Sequence, residues 1–497
     1  MNSGLKTLIE LLLRNQTAVF SILLGLIVLS FYWPLTSYGF LNFDDPMYVT
    51  DNSMVAKGLS WASIQWAFTT FTMGHWHPLT WISHLLDVSL FGMNPWGHHL
   101  MSVLIFSANA AMVFLLLKRL KFFDHWAYLG ALFFALHPMR LESVAWISER
   151  KDVLSFFFGI SALVIYLELN RLSQMSRRTW LYIAIILFSF SLLAKPTFVS
   201  LPVLLLLYEI YVLNETNVKF IFLRIIPFAL LAALSSSLVV FSQAHVGALK
   251  AATFTDRLLS MSNSYQIYLE KFFWPKEIAI FYPKQSLDWR IVGSGVLVML
   301  LISVALFLSR RSRPLAWLGW IWFLVAALPL SGIIPIGGQA YADRWTLLPH
   351  VGLVILSLTF LSQVKWPLLT KSLTGVAVAG MAFFTFSLMP HWKNSESIFR
   401  ETLRVAPENF MAHTNLGTAL AAQGRTEEAE KHYEEAVRLN PTYPEALNNL
   451  GSSRAKKARY DEAIGLFIRA LKRDPNLKTA RQNLELACKL ARNKNCP

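Results

Sequence analysis

The sequence predicts an all-α protein in two parts: a polytopic membrane helix bundle over residues 1–390 and an α-solenoid of helix-pair repeats over residues 391–497. Three observations carry that expectation. Hydrophobic residues make up 55% of the 497 residues and charged residues only 15%, well below the charge content of a soluble domain. The basic residues behind the net charge of +15 stand in short clusters at the ends of apolar runs, the pattern of a chain oriented across a bilayer. After Pro390 the composition turns polar and a period of 34 residues sets in. Clusters at span ends also argue against a nucleic-acid partner, which would gather Lys and Arg on one soluble face. The two cysteines, Cys488 and Cys496, lie at the end of the chain and allow a disulfide without requiring one.

Thr17 to Thr36 follows Lys6 and Arg14, is long enough to span, and lacks a small-residue cleavage site. It reads as an uncleaved first helix that starts inside. The loop from Ser37 to Gly97 sets Asp44, Asp45, Asp51 and Asp87 against one basic residue, Lys57, and is expected outside. Its tryptophans (61, 66, 76, 81 and 96) and its His75, His77 and His84 suit amphipathic segments lying in the interface. Without cysteine or tight ligand spacing, the histidines read as interfacial packing rather than a zinc site.

Further spans are expected at about His99 to Leu117, Ala127 to Leu136, Val153 to Leu169, Trp180 to Leu193, Phe198 to Val212, Ile225 to Phe241, Val292 to Leu308, Leu315 to Leu330, Leu347 to Leu361 and Leu368 to Leu388, about 11 in all. Lys118, Arg119 and Lys121, then Arg171, Arg177 and Arg178, then Arg310, Arg311 and Arg313 mark the inner side. Parity makes Gln243 to Arg290 an external loop, with an amphipathic or re-entrant piece near Tyr265 to Trp274. Eleven spans place the N-terminus inside and the repeats outside; if the host is bacterial, the membrane is the inner (plasma) membrane.

In the repeats, Pro407, Pro441 and Pro475 stand 34 apart, as do Ala429 and Ala463, Tyr433 and Phe467, and the Leu-Gly pairs at 416 and 450. This is the tetratricopeptide pattern. Two full repeats cover about Phe410 to Tyr443 and Pro444 to Leu477; Trp392 to Pro407 forms a preceding half and Lys478 to Arg492 a capping helix. Such arrays present a concave groove to a peptide or another protein, and Asn415, Asn448 and Asn449 are expected to line it.

The expected outer loops concentrate ionisable groups that a scaffold does not need. They are Asp44 and Asp45 after the first span; His137, Arg140, Glu142, Glu149, Arg150, Lys151 and Asp152 after the third; and Asp343 and Arg344 before the tenth. Taken singly, each reads as an interfacial ion pair or a turn residue. Together, carboxylates beside Arg and Lys at a membrane surface suit a general base next to a departing lipid phosphate. Lys195 and Lys276 read as weaker additions, since cations commonly anchor span ends.

The order FDDP, then HPMRLESVAWISERKD, then AYADRWTLLP, then tetratricopeptide repeats resembles the transmembrane and tetratricopeptide repeat-containing glycosyltransferases, relatives of the protein O-mannosyltransferases with the GT-C fold. The resemblance implies an inverting membrane glycosyltransferase. It would move a sugar from a polyprenyl-phosphate donor to an acceptor hydroxyl, a protein Ser or Thr held by the repeats, on the extracytoplasmic side. Carried over, the acidic pair is Asp44 and Asp45, either of which could be the base; Asp44 is taken as the base, with Asp45 orienting the acceptor or a cation. Arg140, Arg150, Lys151 and Arg344 meet the donor phosphate, with His137, Glu142, Asp152 and Asp343 in support. ERKD stands where a GRAD-like form is expected and DR where ER is more usual; both keep the charges and leave the sugar and acceptor unassigned. A divalent cation is compatible with the paired carboxylates, but nothing requires one. Two rival readings stay open: a transferase acting on a glycan or lipid acceptor, and a non-catalytic scaffold that recruits partners through its repeats.

Overall fold

An apolar chain in hydrocarbon must satisfy its own backbone hydrogen bonds, and a helix does so within one segment. The computed structural model describes residues 16–169, 173–245, 253–283, 289–333 and 339–491, and the regular elements among them are helices. The chain divides into two compact units. The first holds the membrane helices; the second holds the chain from His391 on, together with Phe40–Asp44 and Glu277–Pro283.

In the first unit, α1 (Gln16–Tyr32) ends where Pro34 opens a tight turn over Trp33–Ser37. Two short helices follow, α2 (Trp61–Thr69) and α3 (Pro78–Phe91). Ser60 caps α2 by accepting from the Ser63 N–H at 3.1 Å. Both fall within the aromatic loop, where amphipathic segments are expected. Next, α4 (Pro95–Arg119) starts on an Asn94 cap with proline at its first position and ends on Lys118 and Arg119, where cations favour the negative end of the helix dipole. Its 25 residues reach about 37 Å, enough to cross a bilayer.

Then come α5 (Asp124–Ala135), α6 (Leu141–Ala145), α7 (Arg150–Glu168), α8 (Gln174–Ala194), α9 (Leu201–Tyr211) and α10 (Val218–His245). After them come α11 (Phe254–Phe273), α12 (Trp289–Leu308), α13 (Pro314–Ala327), α14 (Pro349–Leu361) and α15 (Pro367–Leu388). Every expected span coincides with one of these helices. Five stretches are long and apolar enough to cross a bilayer: Gln16–Ser37, Pro95–Arg119, Met175–Ala194, Val218–Ser242 and Pro367–Trp392. Four shorter apolar helices, Pro196–Tyr211, Val292–Leu308, Pro314–Leu330 and Pro349–Leu361, stand with them. The protein is therefore a membrane protein.

One expectation is corrected. The piece near Tyr265 to Trp274 is the C-terminal half of a full 20-residue helix, α11, which begins on a Thr253–Asp256 capping box. Its first half carries Asp256, Arg257, Ser260, Ser262 and Asn263, so hydropathy hides it. Tyr265 and Tyr268, one turn apart, donate their hydroxyls to the carbonyls of Leu324 and Leu330 at 2.5 and 3.2 Å. The helix is thus tied along the end of α13.

Polar side chains join the bundle at single points. Tyr32 donates to Ala135 O at 2.8 Å, Asn109 to Val153 O at 2.8 Å and Thr385 to Leu136 O at 2.7 Å. Where α13 crosses α14, Gly319 and Gly352 face each other. A Cβ on Gly319 would lie 2.5 Å from Gly352 O, and one on Gly352 would strike Gly319 O in turn. Only glycine permits that backbone approach.

In the second unit, α16 (Ser395–Val405) precedes the pairs α17 (Phe410–Ala422) with α18 (Thr426–Leu439) and α19 (Pro444–Lys456) with α20 (Tyr460–Arg473), and α21 (Lys478–Leu490) closes the stack. The repeat periods have a packing cause: the Tyr433 ring fills the space beside Gly417, and the Phe467 ring that beside Gly451. Cys496 lies outside the described residues. Two loop pieces from earlier in the chain complete this unit. Asn42 N–H donates to Ser395 Oγ at 2.9 Å and its side chain to Asn415 O at 2.9 Å. The Phe43 ring meets Phe281 and Phe399 at 6.4 and 6.1 Å between centroids. Asn409 caps α17 and donates to Phe281 O at 2.9 Å.

Candidate active site

The chain from Pro138 to Asp152 is buried throughout, although six of its side chains are charged. Charges out of water demand partners. The turn begins at His137, whose Nδ1 accepts from the Met139 N–H at 3.2 Å while Nε2–H donates to Phe272 O at 3.1 Å. From it, α6 presents Glu142, the turn Ile147–Glu149 presents Glu149, and the first turn of α7 presents Lys151 and Asp152.

These groups form one ionic cluster with Lys195, at the end of α8, and Arg344, in the turn Asp343–Thr346. Glu149 is its centre: Oε1 lies 3.0 Å from Lys151 Nζ and 3.3 Å from Arg344 Nε, and Oε2 lies 3.1 Å from Lys195 Nζ. Lys195 also holds Asp152 Oδ1 at 2.6 Å. Arg344 is ion-paired through Nη1 with Glu142, and its backbone N–H donates to Glu142 Oε2 at 2.9 Å. The guanidinium stacks over the Trp146 ring at 5.3 Å. Lys151 donates to Ser148 O at 3.1 Å and sits 4.4 Å over the Tyr48 ring.

Three carboxylates thus balance three cations, which decides the charge states. Burial pushes the Glu149 carboxyl up, but Lys151, Lys195 and Arg344 outweigh it and hold the group well below the usual carboxylate range. Burial opposes the Arg344 charge, while Glu142, Glu149 and Asp152 more than restore it. Burial raises Glu142 to about 7 against the pull of Arg344. The open side of the cluster is cationic: the Lys195, Arg344 and Lys151 side chains are 17%, 9% and 8% exposed, against 2% for Glu149. An arriving anion meets ammonium and guanidinium groups already fixed by carboxylates, the preorganisation that a charged leaving group needs.

The expected site residues separate into distinct places. Lys151, Arg344, Glu142 and Asp152 come together as described. Asp45 is fully buried, and its Oδ1 accepts from the Ser148 N–H at 3.0 Å and from the Ser148 hydroxyl, which fixes the turn that carries Glu149. Asp44 is half-buried and falls in the unit that holds the repeats. Arg150 points away from the cluster: Nη2 pairs with Asp87 Oδ2 at 2.7 Å and Nε donates to Ser102 Oγ at 2.8 Å. Arg140 lies among Phe133, Phe134, Phe272 and Val354, donating to Thr346 Oγ1 and to His350 Nδ1, both at 2.8 Å. Asp343 pairs with Lys271 of α11 at 2.8 Å.

The three groove asparagines are tied into local bonds. Asn415 donates to Met411 O at 2.9 Å, Asn449 to Thr418 Oγ1 at 3.2 Å and Asn448 to Asn449 Oδ1 at 3.2 Å, while Asn483 donates to Asn448 Oδ1 at 2.9 Å. Sequence reasoning ranked Lys195 low and did not single out Lys271, because a lysine near a span end looks like an anchor. The adjacent Pro196, which breaks the helix and turns Lys195 inward, was the available signal.

An all-helical membrane bundle carrying a buried ionic cluster and a tetratricopeptide array defines the class of the protein. The family model described as Tetratricopeptide repeat matches residues 391–444 and 415–478. Among curated proteins, Protein O-mannosyl-transferase TMTC4 of Homo sapiens is 25% identical over 421 residues, covering 72% of this chain and 57% of that protein. Protein O-mannosyl-transferase F38B6.6 of Caenorhabditis elegans is 24% identical over 380 residues, covering 72% of this chain and 52% of that protein. The resemblance drawn from the motifs is thus shown: the chain is similar to the transmembrane, repeat-containing O-mannosyl-transferases. It spans about half the length of these curated relatives. A solved structure, ArnT from Cupriavidus metallidurans bound to undecaprenyl phosphate, aligns with 96% of this chain and 88% of that chain at 12% identity and a TM-score of 0.40.

Proposed function

We propose that the protein is an inverting membrane glycosyltransferase of the GT-C type. It takes a sugar from a polyprenyl-phosphate donor and transfers it to a hydroxyl, a Ser or Thr of a protein bound by the repeats, on the extracytoplasmic side. The observation that carries the reading is the cationic open side of the cluster around Glu149. In this reading Lys151 and Arg344 neutralise the phosphate as its bond to the sugar breaks. Glu142, Glu149 and Asp152 hold those cations in place. Asp44 takes the proton of the acceptor hydroxyl. Asp45, committed to Ser148, positions the neighbouring backbone instead. Arg140 and Arg150 act as struts, since each is fully buried among internal partners. The names of the relatives support a sugar transferred to protein.

The test is transfer by the purified full chain from a panel of labelled polyprenyl-phosphate sugars. Asp44→Asn keeps the shape of the side chain but cannot accept a proton, so turnover should be lost while donor binding persists. Lys151→Met should weaken donor binding about tenfold to a hundredfold, the worth of one charge-assisted contact. Wild type that binds no polyprenyl phosphate or pyrophosphate would establish the scaffold reading instead. Turnover by Asp44→Asn would move the base elsewhere.

A further inference from the structure

Beside Arg150, and apart from the Glu149 cluster, three ligand-type side chains converge. His84 and Asp87 stand three residues apart on one face of α3, and His98 lies in the first turn of α4. All three are fully buried. Each offers a ring nitrogen or carboxylate oxygen within 4.8 Å of the other two. Atoms bound to one tetrahedral zinc at 2.0–2.2 Å lie roughly 3.3–3.6 Å apart, so side-chain shifts of about an ångström would close the site.

The hydrogen bonding leaves room for a cation and calls for one. The His98 Nε2 lies 3.2 Å from Gly92 O, an atom that can only accept, so Nε2 carries the hydrogen. In the neutral ring, Nδ1 then presents a lone pair to Asp87 Oδ2 at 3.3 Å, acceptor against acceptor. The two ring nitrogens of His84 are buried without a hydrogen-bond partner among the described residues, and Asp87 Oδ1 is likewise unpartnered. Leaving such groups buried without partners is unfavourable. One divalent cation would give His84 and Asp87 Oδ1 a partner, with His98 as the third ligand.

We infer that His84, Asp87 and His98 bind a divalent cation of the zinc class and thereby fasten α3 to α4. Two imidazoles and one carboxylate favour zinc over magnesium, which prefers oxygen ligands. The Gly92 carbonyl on His98 and the Arg150 guanidinium on Asp87 Oδ2 are the outer groups that orient the ligands. Arg150 also opposes the cation's charge, so affinity should fall below that of thiolate-rich sites and rise in Arg150→Met. Because Arg150 and Lys151 are adjacent, the cation would steady the start of α7. The inference does not depend on glycosyl transfer.

The test uses the full chain, purified in detergent through a histidine-free tag. Metal content is measured by atomic emission, and after chelation the protein is titrated with zinc chloride while its thermal midpoint is followed. The expected result is roughly one zinc per chain, a midpoint that falls on chelation and recovers with zinc, and loss of both responses in His84→Gln and His98→Gln. The exposed His125→Gln should behave as wild type. Wild type with under about a tenth of an equivalent of zinc and no midpoint response overturns the inference, and needs no variant to fold. Zinc retained by the His84→Gln, His98→Gln double variant overturns it equally.

Discussion

Glu149 shows how one side chain can hold a charged interior together. It touches three cations, so replacing it leaves Lys151, Lys195 and Arg344 repelling one another in a site with little water. Glu149→Gln should cost about 3–5 kcal/mol, the penalty for removing one partner of a buried pair, read as a large drop in the thermal midpoint of the detergent-solubilised protein. The pH dependence has a defined sign. The folded carboxyl is held well below its ordinary value of 4.5, so on acidification the unfolded chain takes up its proton first. Stability from this group is therefore complete above about pH 4.5 and lost as pH falls below it. Glu149→Gln should flatten that limb, and an unchanged acid limb would argue against the assignment. Sequence alone could name the ionisable residues but not sort them. Lys151 and Arg150 are neighbours in ERKD, yet one faces the cluster and the other Asp87, a division set by the 100° step of the helix they begin.

Helices were the most legible feature, because a bilayer forces every apolar run into one. What sequence could not supply was the side of each helix that meets a neighbour. Gly319 and Gly352 look alike in sequence to Gly375 and Gly380, but only the first two lie at a backbone crossing; a Cβ on Gly375 or Gly380 meets nothing within 4 Å. Gly319→Leu should therefore destabilise the bundle by about 1–3 kcal/mol or more, while Gly375→Leu stays near neutral. Unfolding midpoints of the two variants check the contrast, and equal effects would mean that α13 and α14 do not cross as described. The first half of α11 was illegible for the opposite reason. Its Asp256, Arg257, Ser260, Ser262 and Asn263 look like an outer loop, while Tyr265, Tyr268 and Phe272 carry its packing.

For the whole molecule, the 34-residue period identified the array outright, since proline, small residue and aromatic each recur for a packing reason. Sidedness is the proposal that links the array to function. A reporter active only outside the cytoplasm, fused after Pro497, should be active; an active cytoplasmic reporter at the same position would remove both the topology and the role of the repeats in presenting an acceptor. The second unit also has a history written into its connectivity. Its first helix, α16, is met by Asn42, Phe43 and Ile280, which the chain supplies long before the repeats begin. The array is therefore no detachable module. A repeat stack borrowed from another protein would arrive with a bare flank where those side chains belong, so recombination at residue 391 should yield misassembled hybrids unless the two early loops travel with it.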